Sequence, residues 1–299
     1  MLILPSLYAI QVGNFGYFLF LFLLGTLFFL ARSLSRHYGM EWTHRFLLAL
    51  FWGNFALHFL KLLNPFSMKS FPFFFTRSSL ENFCAILIVA SPFIYLYGNA
   101  YWKDYLYYIG IVSGVMVYLA PTAAIGTDLS SPANFLEVMR FYLCHAPLVI
   151  GGYLTVDSGF HKLDYHRLWA VPFCFVAVNL VVLFNAVFLG LVLHYPGWPA
   201  TWAELSDRSL FTNQSYTFGP FPSLDPLFED WLYPILPPFL CTYYIEGEIH
   251  FTPSIWQLLP VGFATLILGP ILSFPYESRH MKIDCLVLKE KIARRRATF

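Results

Sequence analysis

The sequence predicts an all-α fold: a polytopic membrane helical bundle of seven transmembrane helices, with the N-terminus outside and the C-terminus inside. Three observations predict it. Of 299 residues, 58% are hydrophobic and only 12% charged, against about 25% charged in an ordinary soluble domain. Seven charge-free runs come close to the length of about 20 residues that a helix needs to cross a hydrocarbon core. The few Lys and Arg residues also fall unevenly between the connections on the two sides.

In chain order, residues 1–12 read as an apron on the outer side; they carry no basic leader, so a cleaved signal peptide is not expected. The first run, 13–31, ends at Arg32, and the second, 46–60, lies between Arg45 and Lys61. The third, 82–102, is bounded by Glu81 and Lys103, and the fourth is 105–127. The fifth, 141–156, follows Arg140, the sixth, 168–194, follows Arg167, and the seventh, 254–276, stops before Glu277. The short second and fifth runs can reach both interfaces if their flanking charges snorkel.

With the N-terminus outside, the segments 32–45, 103–104, 157–167 and 277–299 hold 13 Lys and Arg, and the opposite connections hold 5. This asymmetry sets the orientation.

Two segments lie outside the spans. The connection 195–253 has seven acidic residues against the single basic Arg208. Its prolines and aromatics, as in Gly219-Pro220-Phe221-Pro222, predict a folded extracytoplasmic cap between the sixth and seventh spans. The apolar run 231–245 contains Pro234, Pro237 and Pro238 and reads as re-entrant or interfacial rather than spanning. Residues 1–276 thus form a single transmembrane domain, and 277–299 a basic cytoplasmic tail that anchors the topology.

Composition excludes several functions. A net charge of +1 offers no surface for nucleic acid. The five cysteines, Cys84, Cys144, Cys174, Cys241 and Cys285, form neither a disulfide framework nor a zinc motif, and the acidic cap residues match no EF-hand. No cofactor and no metal are expected.

Polar groups inside spans are costly and tend to mark function. At 1.5 Å of rise per residue, His58 near the outer end of the second span, Cys84 in the third, His145 in the fifth and Asn185 in the sixth fall in one layer of the outer half of the bilayer; Asn179 lies near mid-membrane. A cysteine near a histidine has the parts of a nucleophile that carries an acyl group as a thioester. Histidines, cysteines and asparagines in spans also serve as plain interhelical contacts.

These residues resemble a known family, the bacterial YwaF-like integral membrane proteins related to eukaryotic transmembrane protein 164. The resemblance rests on His58 and Lys61, on Leu80-Glu81-Asn82-Phe83-Cys84, on Phe141-Tyr142-Leu143-Cys144-His145, on Asn179 and Asn185, and on Gly219-Pro220-Phe221-Pro222, spanning about residues 50–230. It implies a phospholipid acyltransferase with Cys84 and His145 catalytic. His58, Lys61, Asn82, Asn179 and Asn185 would bind or orient substrate. Asn82 stands where the family commonly has a histidine, which leaves activation of Cys84 to His58 or His145.

The expected function is therefore transfer of an acyl chain from a membrane phospholipid to a lysolipid, by a multi-pass protein of the cell membrane if the source is bacterial. The alternatives are a small-solute or lipid transporter, suggested by Pro121, Pro147, Pro172, Pro260 and Pro270 within spans, and a non-enzymatic seven-helix receptor or scaffold.

Overall fold

Asparagine opens three of the long helices. In the computed structural model, α1 (Phe15–Phe59) starts after Asn14, whose side-chain oxygen accepts the Tyr17 N–H at 3.0 Å. Helix α2 (Phe83–Tyr97) starts after Asn82, which accepts from Ala85 at 2.8 Å, and α3 (Ala100–Leu119) after Asn99, which accepts from Trp102 at 3.2 Å. Each cap satisfies a backbone donor that the first turn leaves without a partner. Helix α4 (Pro132–Asp157) instead has proline in its first turn, where no N–H is needed. Helix α5 (Ala170–Val187) runs on into a π turn, Phe188–Val192, and α6 spans Leu258–Ala297.

The structure describes residues 9–60, 79–121, 124–213, 215–245 and 248–297. Lys61 lies outside them. The fold is mostly helical with almost no strand. Among the described residues three helices, Phe15–Phe59, Ala170–Val192 and Ile255–Ala293, are long and apolar enough to cross a membrane, and Phe83–Tyr97 is a shorter apolar helix.

Several boundaries differ from the expected ones. Helix continues through 32–45, where a loop was expected, and breaks only at Gly39, with φ 79° and ψ −170°. That conformation is nearly closed to residues with a Cβ. Gly39→Ala is expected to cost about 1–3 kcal/mol, read as a lower midpoint of thermal unfolding in detergent; an unchanged midpoint would show that the break is not needed.

The turn between α2 and α3 falls at 98–99, so Lys103 and Asp104 sit inside α3. The fifth helix begins nine residues earlier than its apolar run, at Pro132. The 231–245 run does not span: it holds a short 3-10 turn, Tyr233–Ile235, and β1 (Cys241–Ile245), which pairs antiparallel with β2 (Glu248–Phe251). The tail from 277 continues α6 as helix.

Long-range contacts fix the path of the chain. At one end, Tyr17 Oη donates to the Leu119 carbonyl at 3.0 Å and the Gly126 N–H to the Ile10 carbonyl at 2.9 Å. At the other, Ser35 meets Ser158 at 3.1 Å, Arg32 and Arg36 each approach Asp157 at 3.7 Å, and Tyr276 donates to Asp157 at 3.4 Å. The helices therefore run alternately up and down. The segments 32–45, 100–104, 157–167 and 276–284 meet at one end.

Helices α3 and α4 pack most intimately, through glycines. A Cβ on Gly110 would lie 3.1 Å from the Leu148 carbonyl oxygen, and one on Gly152 3.0 Å from that of Leu106. Such small-residue contacts let backbones touch where no hydrophobic force favours one apolar neighbour over another.

The segment after α5 is a folded cap. Arg208 makes two 2.8 Å bonds to Asp225, a third to the Pro220 carbonyl at 3.1 Å, and stacks on the Phe251 ring. Tyr233 donates to Asp225 at 2.6 Å; burial, then that carboxylate, push its phenol pKa up. Asn213 ties the loop across itself, donating to the carbonyls of Arg208 and Gly219 and accepting the Phe218 N–H.

Candidate functional site

Cys84 lies in the first turn of α2, and the turn is held from both directions. Asn82 caps it, and the Phe83 N–H is accepted at 2.9 Å by the hydroxyl of Ser215, a cap residue. Cys84 is half-buried. Ser113 on α3 reaches toward its thiol, yet the Ser113 hydroxyl completes no hydrogen bond of normal geometry. Tyr105, two turns away on α3, faces both Cys84 and Cys174.

His145 is buried in α4. Its Nδ1 lies 2.6 Å from the Phe141 carbonyl. A carbonyl only accepts, so Nδ1 carries a proton. The His145 backbone oxygen would lie 3.1 Å from a Cβ on Gly114. Cys84 and His145 thus meet α3 at consecutive residues, Ser113 and Gly114, and share one level of the bundle. The hydrogen bonds between described residues do not join them.

His58 and Asn54 lie one turn apart on the face of α1 that meets α4, both buried, and Asn54 Nδ2 donates to the Cys144 carbonyl at 3.0 Å. Asn185 donates to Ser79 at 3.1 Å. Asn179 is fully buried; its side-chain amide donates to the Phe175 carbonyl at 3.3 Å and its backbone carbonyl accepts from the Ser254 hydroxyl at 3.0 Å. These two asparagines engage different partners and form no joint site. Asn82 spends its side-chain oxygen on the helix cap.

Beside Cys84 is a cavity of about 360 Å³ between the start of α2, α3, α5, α6 and the cap. Ligand sites typically occupy about 300–1,000 Å³. Its walls are almost wholly apolar, with Phe83, Val112, Phe175 and Leu272 among them. Met116 and Leu268 line it and are also exposed, so it opens on the flank of the bundle between α3 and α6.

A few polar groups face this space. The Gln257 side chain is buried, and its amide donates to the carbonyls of Ser215 and Tyr216 at 2.5 and 2.9 Å. Among the described residues, neither its oxygen nor the Ser113 hydroxyl makes a hydrogen bond of normal geometry, and both residues line the cavity.

The opposite end carries charge rather than a cavity of this kind. Asp104, 1% exposed, accepts from Arg167 Nε at 2.6 Å and lies 2.6 Å from His161 Nε2. Nearby, the Asp164 carboxylate at 2.9 Å, with Asp284 beyond it, raises the pKa of His166. Among the described residues no group of three or more His, Cys, Asp or Glu side chains could hold a metal.

Ser113, Ser215 and Gln257 were not singled out from the sequence. Ser113 and Gln257 are each a polar residue inside an apolar run, 105–127 and 254–276; Ser215 has no such local sign. A scan of protein-family models, a search of curated proteins and a search of solved structures each return no match for this chain.

Proposed function

We propose that the protein is a seven-span membrane protein, N-terminus outside and C-terminus inside, that takes a lipid acyl chain into the flank-opening cavity and transfers it through Cys84. The observation that carries this reading is an apolar cavity, reachable from the side of the bundle, whose wall includes Phe83, the residue before Cys84, and Ser113, which reaches toward the Cys84 thiol. A phospholipid could enter it without leaving the bilayer. The resemblance to the YwaF-like proteins supports the same residues.

In the proposed reaction Cys84 Sγ attacks the ester carbonyl of a donor phospholipid. A thioester bond forms, the ester C–O bond breaks, and the leaving lysolipid alkoxide takes up the thiol proton relayed by His145 Nε2. A second lysolipid hydroxyl then attacks the thioester carbonyl, the C–S bond breaks, and the proton of that hydroxyl passes to the sulfur. The Ser113 hydroxyl would donate to the ester carbonyl, and the Gln257 oxygen would accept from the incoming lysolipid hydroxyl.

The expected result is hydroxylamine-sensitive labelling of the protein by a clickable fatty acid, abolished by Cys84→Ser, with lysolipid acylation reduced about 100-fold or more by His145→Ala. Full lipid remodelling by Cys84→Ser would refute the mechanism.

Ser113 and Tyr105 on α3 interact with Cys84, and the hydrogen bonds between described residues do not join it to His145. This favours a second reading, a lipid-binding receptor or scaffold without chemistry. It requires that the cavity bind lipid while Cys84 stays unlabelled.

A further inference from the structure

Helix α1 breaks at Gly39, and beside the break lies a second cavity, of about 240 Å³. Polar side chains make most of its wall: Ser35, Arg36, Thr43, Asp157 and Ser158. One water needs about 10–15 Å³ of such space, so the cavity admits a much larger group.

Its charges do not balance. Arg32 and Arg36, one turn apart on α1, approach a single carboxylate, Asp157. Each stays 3.7 Å from it, beyond hydrogen-bond reach. Asp157 instead accepts from the Tyr153 hydroxyl at 2.9 Å and from Tyr276 at 3.4 Å. Arg32 Nε is buried, yet among the described residues it makes no hydrogen bond, and its guanidinium lies over the Tyr153 ring. Two guanidiniums against one carboxylate leave a surplus of one positive charge. With Arg32 offsetting Asp157, the Arg36 fork is left to face an anion.

The hydroxyls form a row with one open end. Thr43 donates to the Gly39 carbonyl at 2.8 Å, so in the 2.8 Å contact between Ser35 and Thr43 it is Ser35 that donates. Ser158, 3.1 Å from Ser35, ends the row. It can turn its proton toward a ligand without breaking the other two bonds.

A planar guanidinium fork matches the oxygens of a phosphate, which accept several donors at once. The site also lies where the first apolar run ends, at Arg32. Tyr38 and Trp42, on either side of the break in sequence, lie ring against ring, and such aromatics mark the headgroup level of a bilayer. We propose that this cavity binds a phosphate group, free or in the headgroup of an anionic lipid. Arg36 and Ser158 donate to it directly, and Arg32 neutralises Asp157 behind it.

The test uses the full chain, purified in maltoside detergent without added phospholipid. Its unfolding midpoint is followed against sodium phosphate and, separately, against dioctanoyl phosphatidylglycerol, each compared with sodium chloride at the same ionic strength. At least one of the two is expected to raise the midpoint saturably, by about 2 °C or more. Arg36→Gln, at a side chain 61% exposed, should fold as the wild type does and need about 10-fold more ligand for half the rise. Ser158→Ala should act in the same direction. Arg45→Gln, on the same helix but outside the cavity, should leave the ligand dependence unchanged.

A rise with phosphate alone would assign the site to the free ion, a rise with phosphatidylglycerol alone to the headgroup, and a rise with both to the phosphate group from either source. No saturable rise with either probe, or a loss as large in Arg45→Gln as in Arg36→Gln, would overturn the site. The readout does not involve acyl transfer, so its failure leaves the chemistry at Cys84 standing, and unlabelled Cys84 leaves this site standing.

Discussion

Asp104→Ala is expected to destabilise the protein by about 3–5 kcal/mol, the largest loss among substitutions away from Cys84. Asp104 is 1% exposed and holds both Arg167 and His161 by 2.6 Å contacts. Removing the carboxylate leaves a guanidinium, 22% exposed, and a buried imidazole without the anion they face. Helix α3 and the connection between α4 and α5 depend on it, since Asp104 belongs to α3 and His161 and Arg167 both lie in that connection.

A fall in the thermal unfolding midpoint in detergent would show the loss, with partial recovery in the double variant Asp104→Ala/Arg167→Ala because the unpaired charge is gone. A loss under about 1 kcal/mol would place the cluster among solvent-screened pairs.

Gly152→Val is the second. Its Cβ would sit 3.0 Å from the Leu106 carbonyl oxygen and 3.5 Å from the Tyr107 Cα, both backbone atoms of α3 that no rotamer change can move aside. The two added methyls would force α3 and α4 apart. Overpacking of this kind costs about 1–3 kcal/mol.

The displacement would also separate Cys84 from His145, because α3 is the element both of them touch. Gly152→Ala should behave in the same direction with a smaller shift, and the ordering of unfolding midpoints, wild type above Ala above Val, checks the argument. Equal midpoints would mean that the interface yields easily.

The helical class was legible because charge-free runs are a one-dimensional signal. The segments that meet at the charged end, including Arg32, Arg36, Asp104, Asp157 and Arg167, were also grouped correctly from charge alone. Helix 32–45 was not legible: its charged residues read as a loop, whereas they lie on a helix interrupted only where Gly39 allows it.

In the site, the shared level of Cys84 and His145 followed from counting residues along spans. An asparagine just before an apolar run, as at Asn82, is also a helix-cap signature, and its side-chain oxygen makes that cap. Gln257 and Ser215 could not be found in this way. Their meaning lies in contacts with Tyr216 and Phe83, and the second of these crosses 132 positions of sequence.

That last contact carries a consequence for how the protein is made. Phe83 is synthesised early, and the serine that completes its helix start emerges long afterwards, once α3, α4 and α5 have left the ribosome. Until then the first turn beside Cys84 has an open backbone donor and the cavity has no roof. The nascent chain can thus place its helices one by one, while the cavity closes only when the cap and Gln257 arrive. A chain truncated before residue 215 would keep the thiol and lose the chamber around it.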